Sequence, residues 1–172
     1  KWMILLLVSP ARGAMRQNRR KRWLMNYEMP AVLITQQLHG SMEYLLDTNL
    51  CINIFRNTGH IREKIEKAGI AHCAVSEITI AELFYGAAKS GRAKHFQDVY
   101  NVMRLFQIVP ISDCLERYGV LKSQLEQSGM RIDDFDLLIG ATALQHRMTL
   151  VTHNIKHLAR IPQIQIEDWE EY

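Results

Sequence analysis

Three acidic side chains stand in apolar surroundings along this sequence, and they are its clearest candidates for chemistry. Asp47 directly follows the apolar residues 44–46, Glu82 lies inside an apolar helical stretch, and Asp136 opens another. Burying an ionised carboxylate is costly unless a cation or hydrogen-bond donors compensate it. Oxygen ligands favour Mg²⁺ or Mn²⁺, and such an ion activates water and stabilises in-line phosphoryl displacement. The three acids therefore indicate a metal site that acts on phosphoryl groups.

Each of these carboxylates also has a purely structural interpretation. Aspartate is a preferred helix cap, which would account for Asp47. Glu82 could face water from a narrow polar strip of its helix. Asp133 and Asp136 are three residues apart and could form a capping-box-like pair. These alternatives stay open on the sequence alone.

Two further polar groups follow a later apolar segment. Asn154 comes just after the predicted strand 150–152, and its amide can orient a water or complete a metal shell, although it is a weak metal ligand. His153 and His157 are four residues apart and could bind zinc if helical, but the motif lacks the glutamate of a zinc protease. We therefore expect His153 to contact substrate or solvent at the rim of the site.

The carboxylates need elements that bring them together, and apolar runs alternate with helical patterns along residues 42–172. The predicted strands are 43–46, 72–75, 108–111, 150–152 and an edge strand at 164–166. The predicted helices begin at caps on Thr48 or Asn49, Ser76, Ser112 and Asp133. This alternation predicts a mostly parallel sheet covered on both faces. In such sheets ligands bind beyond the carboxyl ends of the strands, which is where Asp47 and Asn154 are expected.

Composition and charge divide the chain into two parts. The 172 residues are 48% hydrophobic and 23% charged, which excludes a disordered or fibrous protein. The net charge of +3 is unevenly placed: residues 1–41 carry seven bases and one acid, leaving 14 bases and 17 acids for residues 42–172. We expect residues 1–41 to be a flexible or non-native appendage and residues 42–172 to be the domain.

Cysteine spacing and hydropathy bear on where the protein works. The three cysteines are scattered and form no C-x-x-C pair, which is typical of reduced thiols in a cytoplasmic protein. No apolar run reaches the ~20 residues that a membrane-spanning helix needs. We therefore expect a cytoplasmic protein with no membrane partner.

Four motifs, taken in order, resemble the PIN-domain family. They are residues 44–49 (YLLDTN), 78–87 (ITIAELFYGA), 135–143 (FDLLIGATA) and 150–154 (LVTHN), and residues 160–169 resemble the VapC branch, the toxins of VapBC toxin–antitoxin pairs. The resemblance covers essentially all of 42–169. It implies a three-layer α/β/α sandwich with a mostly parallel sheet of four to five strands.

The resemblance also implies an activity and a set of site residues. It implies a Mg²⁺-dependent endoribonuclease toxin, with Mn²⁺ as a substitute, whose invariant acids map onto Asp47, Glu82 and Asp136. The fourth acidic position of the family, which varies, maps onto Asn154, so the number of metal ions stays open. Asp47 and Asp136 would hold the cation, Glu82 would complete the site or position the water, and neighbouring polar groups would orient the shell. These groups are Asn154, Thr48, Asn49 and Thr152.

Partners and alternatives follow from the same resemblance. It implies a homodimer, a VapB-type antitoxin that blocks the site, and an RNA substrate, with tRNA favoured. One alternative is a catalytically inactive PIN-like module that binds RNA or protein, against which the presence of all three acids argues. A CheY-like receiver would need paired acids at the first strand, where Asp47 stands alone.

Overall fold

A central parallel sheet organises the protein, whose structure is a computed structural model that describes residues 42–56 and 60–170. Predictions about residues 1–41 lie outside the described residues. Within them, five strands run parallel in the order β3-β2-β1-β4-β5. They are β1 (Tyr44–Leu46), β2 (Cys73–Ser76), β3 (Gln107–Val109), β4 (Thr149–Val151) and β5 (Ile166–Glu167). The predicted number of strands is confirmed, and every observed pairing is parallel.

Helices cover both faces of this sheet. In the described part of the chain they are α1 (Thr48–Arg56), α2 (Ile61–Ala68), α3 (Glu77–Ser90), α4 (Ala93–Leu105), α5 (Leu115–Gln127), α6 (Asp134–His146) and α7 (Ile155–Leu158). Successive strand side chains point to opposite faces, so Leu46 packs in the core under α1 to α4 while Leu45 packs in the core under α5 and α6. This arrangement confirms the predicted three-layer α/β/α fold.

Two helix starts are set by the side chains that the sequence indicates. Ser76 Oγ accepts a 3.0 Å hydrogen bond from the backbone N–H of Thr79 at the start of α3. Asp133 Oδ1 accepts a 2.9 Å bond from the N–H of Phe135 at the start of α6. The α3 helix ends at Ser90, and the capping residue that follows, Gly91, has a left-handed φ of 64° that suits glycine.

Two other capping predictions are wrong. Ser112 does not cap a long helix: a 3₁₀ turn, Ser112–Cys114, comes first, and α5 begins at Leu115. In this turn the backbone N–H and the buried thiol of Cys114 both donate to the carbonyl of Ile111. At α1, Thr48 is the first helical residue rather than the cap, and the preceding Asp47 carboxylate accepts its N–H.

The position of β1 within the sheet creates a cleft at its carboxyl end. The chain leads from β1 to its neighbour β2 on one side, whereas its other neighbour, β4, arrives much later in the sequence. Such a reversal of strand order opens a crevice between the two strands, which is the usual ligand site of parallel α/β sheets. Asp47 lies at the end of β1, and Thr152 lies at the end of β4.

The α6 helix packs closely on the segment that follows α7. A Cβ atom placed on Gly140 would lie 2.3 Å from Ile161 Cδ1, so a larger residue at this position would force the end of the Ile161 side chain to move. No helix within residues 42–56 and 60–170 combines the length and apolar character that crossing a membrane demands.

Candidate functional site

Asp47 is the most deeply buried acid of the cleft, with only 3% of its surface exposed. Both of its oxygens are held: Oδ1 accepts the N–H of Thr48 at 2.6 Å, and Oδ2 accepts the hydroxyl of Thr152 at 2.7 Å. Burial raises the pKa of Asp47, and these two hydrogen bonds offset part of the rise. The carboxylate therefore holds the first N–H of α1 and also reaches across the sheet to the residue that follows β4, while the Asp47 backbone carbonyl accepts the N–H of Cys51 and closes the first turn.

Glu82, in the second turn of α3, is half-buried and turns towards the other acids rather than towards open water. The hydroxyl of Thr48 donates a short hydrogen bond to Glu82 Oε2. Burial raises the pKa of Glu82, and repulsion from Asp47, Asp136 and Asp133 raises it further, while the Thr48 bond lowers it. The polar-strip interpretation of Glu82 is therefore wrong.

Asp136 pairs with Asn154 rather than with a capping partner. Asn154 Nδ2 donates to Asp136 Oδ2 at 2.9 Å, and the Asn154 N–H donates to the hydroxyl of Thr152, also at 2.9 Å. Burial raises the pKa of Asp136, with added repulsion from Asp47, and neither the nearby His157 nor the Asn154 bond cancels the rise.

The predicted polar residues around the acids are placed unequally. Thr48 and Thr152 each join a carboxylate directly, and Asn154 joins both Asp136 and Thr152. Asn49 is exposed on the first turn of α1, and within the described residues no hydrogen bond ties it to the acids. The structure therefore brings together the three acids with three of the four predicted neighbours.

The donor set at this cleft suits a hydrated divalent cation. The acids are bonded by neutral hydroxyl and amide groups, so their negative charges repel one another. No three His, Cys, Asp or Glu side chains in the described ranges converge tightly enough to enclose a metal by themselves. Mg²⁺ usually keeps several waters and binds one or two carboxylates together with substrate phosphate. An open cluster of oxygen ligands is compatible with that mode.

One contact near the site was not predicted. His153 Nδ1 lies 2.8 Å from Asp168 Oδ2, with the histidine 59% exposed and the aspartate 7% exposed. The two residues are fifteen positions apart and neither their types nor their spacing signals a pair. The pairing of β4 with β5 creates the contact, because it brings the residues after both strands to the same edge.

Comparison with known protein families gives one match that covers the whole site. A family model described as the PIN domain matches residues 44–163, a range that includes all three acids and Asn154. This chain belongs to the PIN-domain family. The predicted family is thereby confirmed.

Relatives of this PIN-domain chain are named VapC. It is 36% identical over 134 residues to Ribonuclease VapC2 of Rickettsia felis, across 76% of this chain and 100% of the relative. It is 32% identical over 131 residues to the tRNA(fMet)-specific endonuclease VapC of Salmonella typhimurium, across 74% of this chain and 98% of the relative. Among solved structures, DNA-bound VapBC from Salmonella typhimurium matches at a TM-score of 0.70 and 30% identity, covering 74% of this chain and 98% of that one.

Proposed function

We propose that this chain is a Mg²⁺-dependent endoribonuclease toxin of a type II toxin–antitoxin pair, which hydrolyses phosphodiester bonds of RNA. The observation that carries the proposal is the meeting of Asp47, Glu82 and Asp136 at the switch point between β1 and β4. It occurs in a chain whose full-length relatives are named ribonucleases.

The cofactor and its ligands follow from the donor set. Asp47 and Asp136 would hold the cation, with Glu82 completing the site. Bound Mg²⁺, or Mn²⁺ in its place, would supply positive charge to the scissile phosphate and lower the pKa of water. Burial raises the pKa of all three acids, and repulsion from neighbouring acids raises those of Glu82 and Asp136 further. The positive charge of the cation would relieve this repulsion.

The protein's own groups divide the remaining work. Thr152 and Thr48 fix the orientation of Asp47 and Glu82 by donating to one oxygen of each. Asn154 does the same for Asp136. Glu82 Oε1 is the atom that we assign to accept a proton from the attacking water, because Oε2 is occupied by the Thr48 hydroxyl. Fixed orientation matters here because small displacements of reacting groups cost large factors in rate.

The biological setting rests on the named relatives. One relative is specific for tRNA(fMet), and structures with similar chains are VapBC complexes. We therefore assign tRNA as the favoured substrate, a VapB-type antitoxin as the inhibitor, a homodimer as the assembly and the cytoplasm as the compartment. Residues 42–172 would form the working domain, with residues 1–41 as an appendage.

Mapping of RNA ends in growing bacteria tests this proposal. The protein is induced briefly, and 5′ ends of cellular RNA are sequenced, with Asp136→Ala and the exposed Asp113→Ala as matched variants. We expect growth arrest and new ends at defined sites with the wild type and Asp113→Ala, and neither with Asp136→Ala. Arrest without new RNA ends, or new ends that persist in Asp136→Ala, would support the non-cutting binding module instead.

A further inference from the structure

We propose that residues 167–170, here termed the 167–170 clasp, are a positioning element that sets the orientation of Asn154 through the Asp168–His153 bond. The inference rests on the proposed function, because it assigns these residues a part in the same reaction. None of them touches the three acids, so the clasp acts through the segment 152–154.

The clasp holds the 152–154 segment at successive residues. The Thr152 N–H donates to the carbonyl of Glu167 at 3.0 Å. One residue later, the His153 ring meets Asp168 Oδ2 at 2.8 Å. The next residue, Asn154, reaches Asp136 at 2.9 Å. His153 thus lies between Thr152 and Asn154, each of which bonds an acid of the site. The clasp holds this middle residue through Asp168.

The side-chain carboxylate of Asp168 is buried and has a partner at each oxygen. Its side chain is only 7% exposed, and its second oxygen, Oδ1, accepts the N–H of Glu170 at 2.8 Å. Both oxygens therefore have partners, and the cost of burying the carboxylate is offset by the histidine and the backbone amide. A carboxylate so engaged is suited to orient His153 rather than to hold a metal.

The other end of the clasp is anchored to α1 and to the sheet. Asn53 Nδ2 donates to Glu170 Oε1 at 2.5 Å. Trp169 is buried, donates from Nε1 to Glu167 Oε2 at 2.7 Å, and packs on Tyr44 with ring centroids 5.1 Å apart. The clasp therefore connects α1, which begins directly after Asp47, to the segment that carries Asn154.

Kinetics of the purified full chain test the clasp. The variants are Asp168→Asn, His153→Ala, their double variant, and Asp113→Asn as the control at an exposed carboxylate. We expect each single variant to lower kcat by about 10-fold, as loss of a group that orients a ligand-supporting residue usually does, with KM for RNA unchanged. The double variant should fall no further than His153→Ala, because loss of the ring already removes both its Asp168 contact and its longer, 3.9 Å contact with Glu170 Oε2.

A readout independent of activity separates the clasp from the proposed function. The side-chain amide resonances of Asn154, assigned by their loss in Asn154→Ala, should shift in Asp168→Asn and in His153→Ala but not in Asp113→Asn. Additive kcat losses, a KM increase confined to His153→Ala, or unmoved Asn154 resonances would overturn the clasp. A wild-type chain that leaves RNA intact in Mg²⁺ while the resonances shift would overturn the proposed function and leave the positioning role standing.

Discussion

The hydroxyl of Thr152 donates a 2.7 Å hydrogen bond to Asp47 Oδ2 across the two strands that flank the switch point. The bond is buried, and it joins the end of β4 to the end of β1. Because the donor is neutral, it orients the carboxylate without cancelling its charge. The same holds for Thr48 at Glu82 and for Asn154 at Asp136. These neutral donors therefore fix the orientation of the carboxylates but leave their negative charges uncompensated. A bound divalent cation would relieve the repulsion between those charges.

Stability without metal should fall as pH rises above the ordinary carboxyl range. The pKa values of Asp47, Glu82 and Asp136 are raised by burial. A carboxyl whose pKa is higher in the folded than in the unfolded chain holds its proton to a higher pH in the fold. The free energy of unfolding therefore falls as the pH rises from the unfolded to the folded pKa. We expect the Tm in EDTA to decline from about pH 4 towards neutrality, and the decline to be shallower in Asp47→Asn. Parallel Tm–pH curves for the two proteins would contradict this.

Divalent cations should stabilise the folded chain through the same acids. A ligand that binds only the folded state at 100 times its Kd adds about 2.7 kcal/mol, which corresponds to roughly 5–10 °C in Tm for a chain of this size. Thermal melts with increasing Mg²⁺ should show this rise in the wild type and in Asp113→Asn. The rise should be largely absent in Asp136→Asn, and an equal rise in that variant would place the cation elsewhere.

Removal of the Thr48 hydroxyl should slow the reaction and move its pH dependence. The Thr48 bond lowers the pKa of Glu82, so Thr48→Val should raise that pKa and shift the acid limb of the kcat/KM profile to higher pH. We expect kcat to drop by about 10-fold or more, whereas Thr48→Ser, which keeps the hydroxyl, should stay near the wild type. A profile for Thr48→Val that overlays the wild-type profile would show that the bond does not tune Glu82.

The close approach at Gly140 gives a prediction about stability alone. Gly140→Ala would place Cβ 2.3 Å from Ile161 Cδ1, and Ile161 is buried. We expect a loss of about 1–3 kcal/mol in the free energy of unfolding, as is typical of overpacking. The double variant with Ile161→Val, which lacks Cδ1, should recover part of that loss in urea unfolding. Equal destabilisation with and without Ile161→Val would mean that the contact is not the cause.

Much of the fold could be predicted because the relevant signals are local. Ser76 and Gly91 bracket α3 by cap chemistry that nearby residues determine, and the apolar strands alternate with helices in a way that requires a parallel sheet. The placement of Asp47 and Asn154 followed from topology, since parallel strands end at one edge.

What could not be predicted depends on contacts between distant residues. Both Thr48 and Asn49 were suitable caps, yet neither caps α1: Asp47 precedes the helix, and the Thr48 hydroxyl donates to Glu82, 34 residues away. In the turn before α5, the buried Cys114 thiol contacts the hydroxyl of Thr142 on α6, 28 residues away. The Asp168–His153 pair arises from the β4–β5 register. Such partners carry no local pattern, because a side chain's hydrogen-bond partner is set by the packed fold.

The most direct test of the central claim is the cleavage of RNA by the purified chain as Mg²⁺ is removed and restored. We predict cleavage in Mg²⁺, none in EDTA, and recovery when Mg²⁺ is added in excess. In the same assay Asp136→Asn should lose on the order of 10²–10³-fold in rate, the several kcal/mol that metal catalysis supplies, while Asp113→Asn should not. Cleavage at an undiminished rate in EDTA, or by Asp136→Asn in Mg²⁺, would contradict the account.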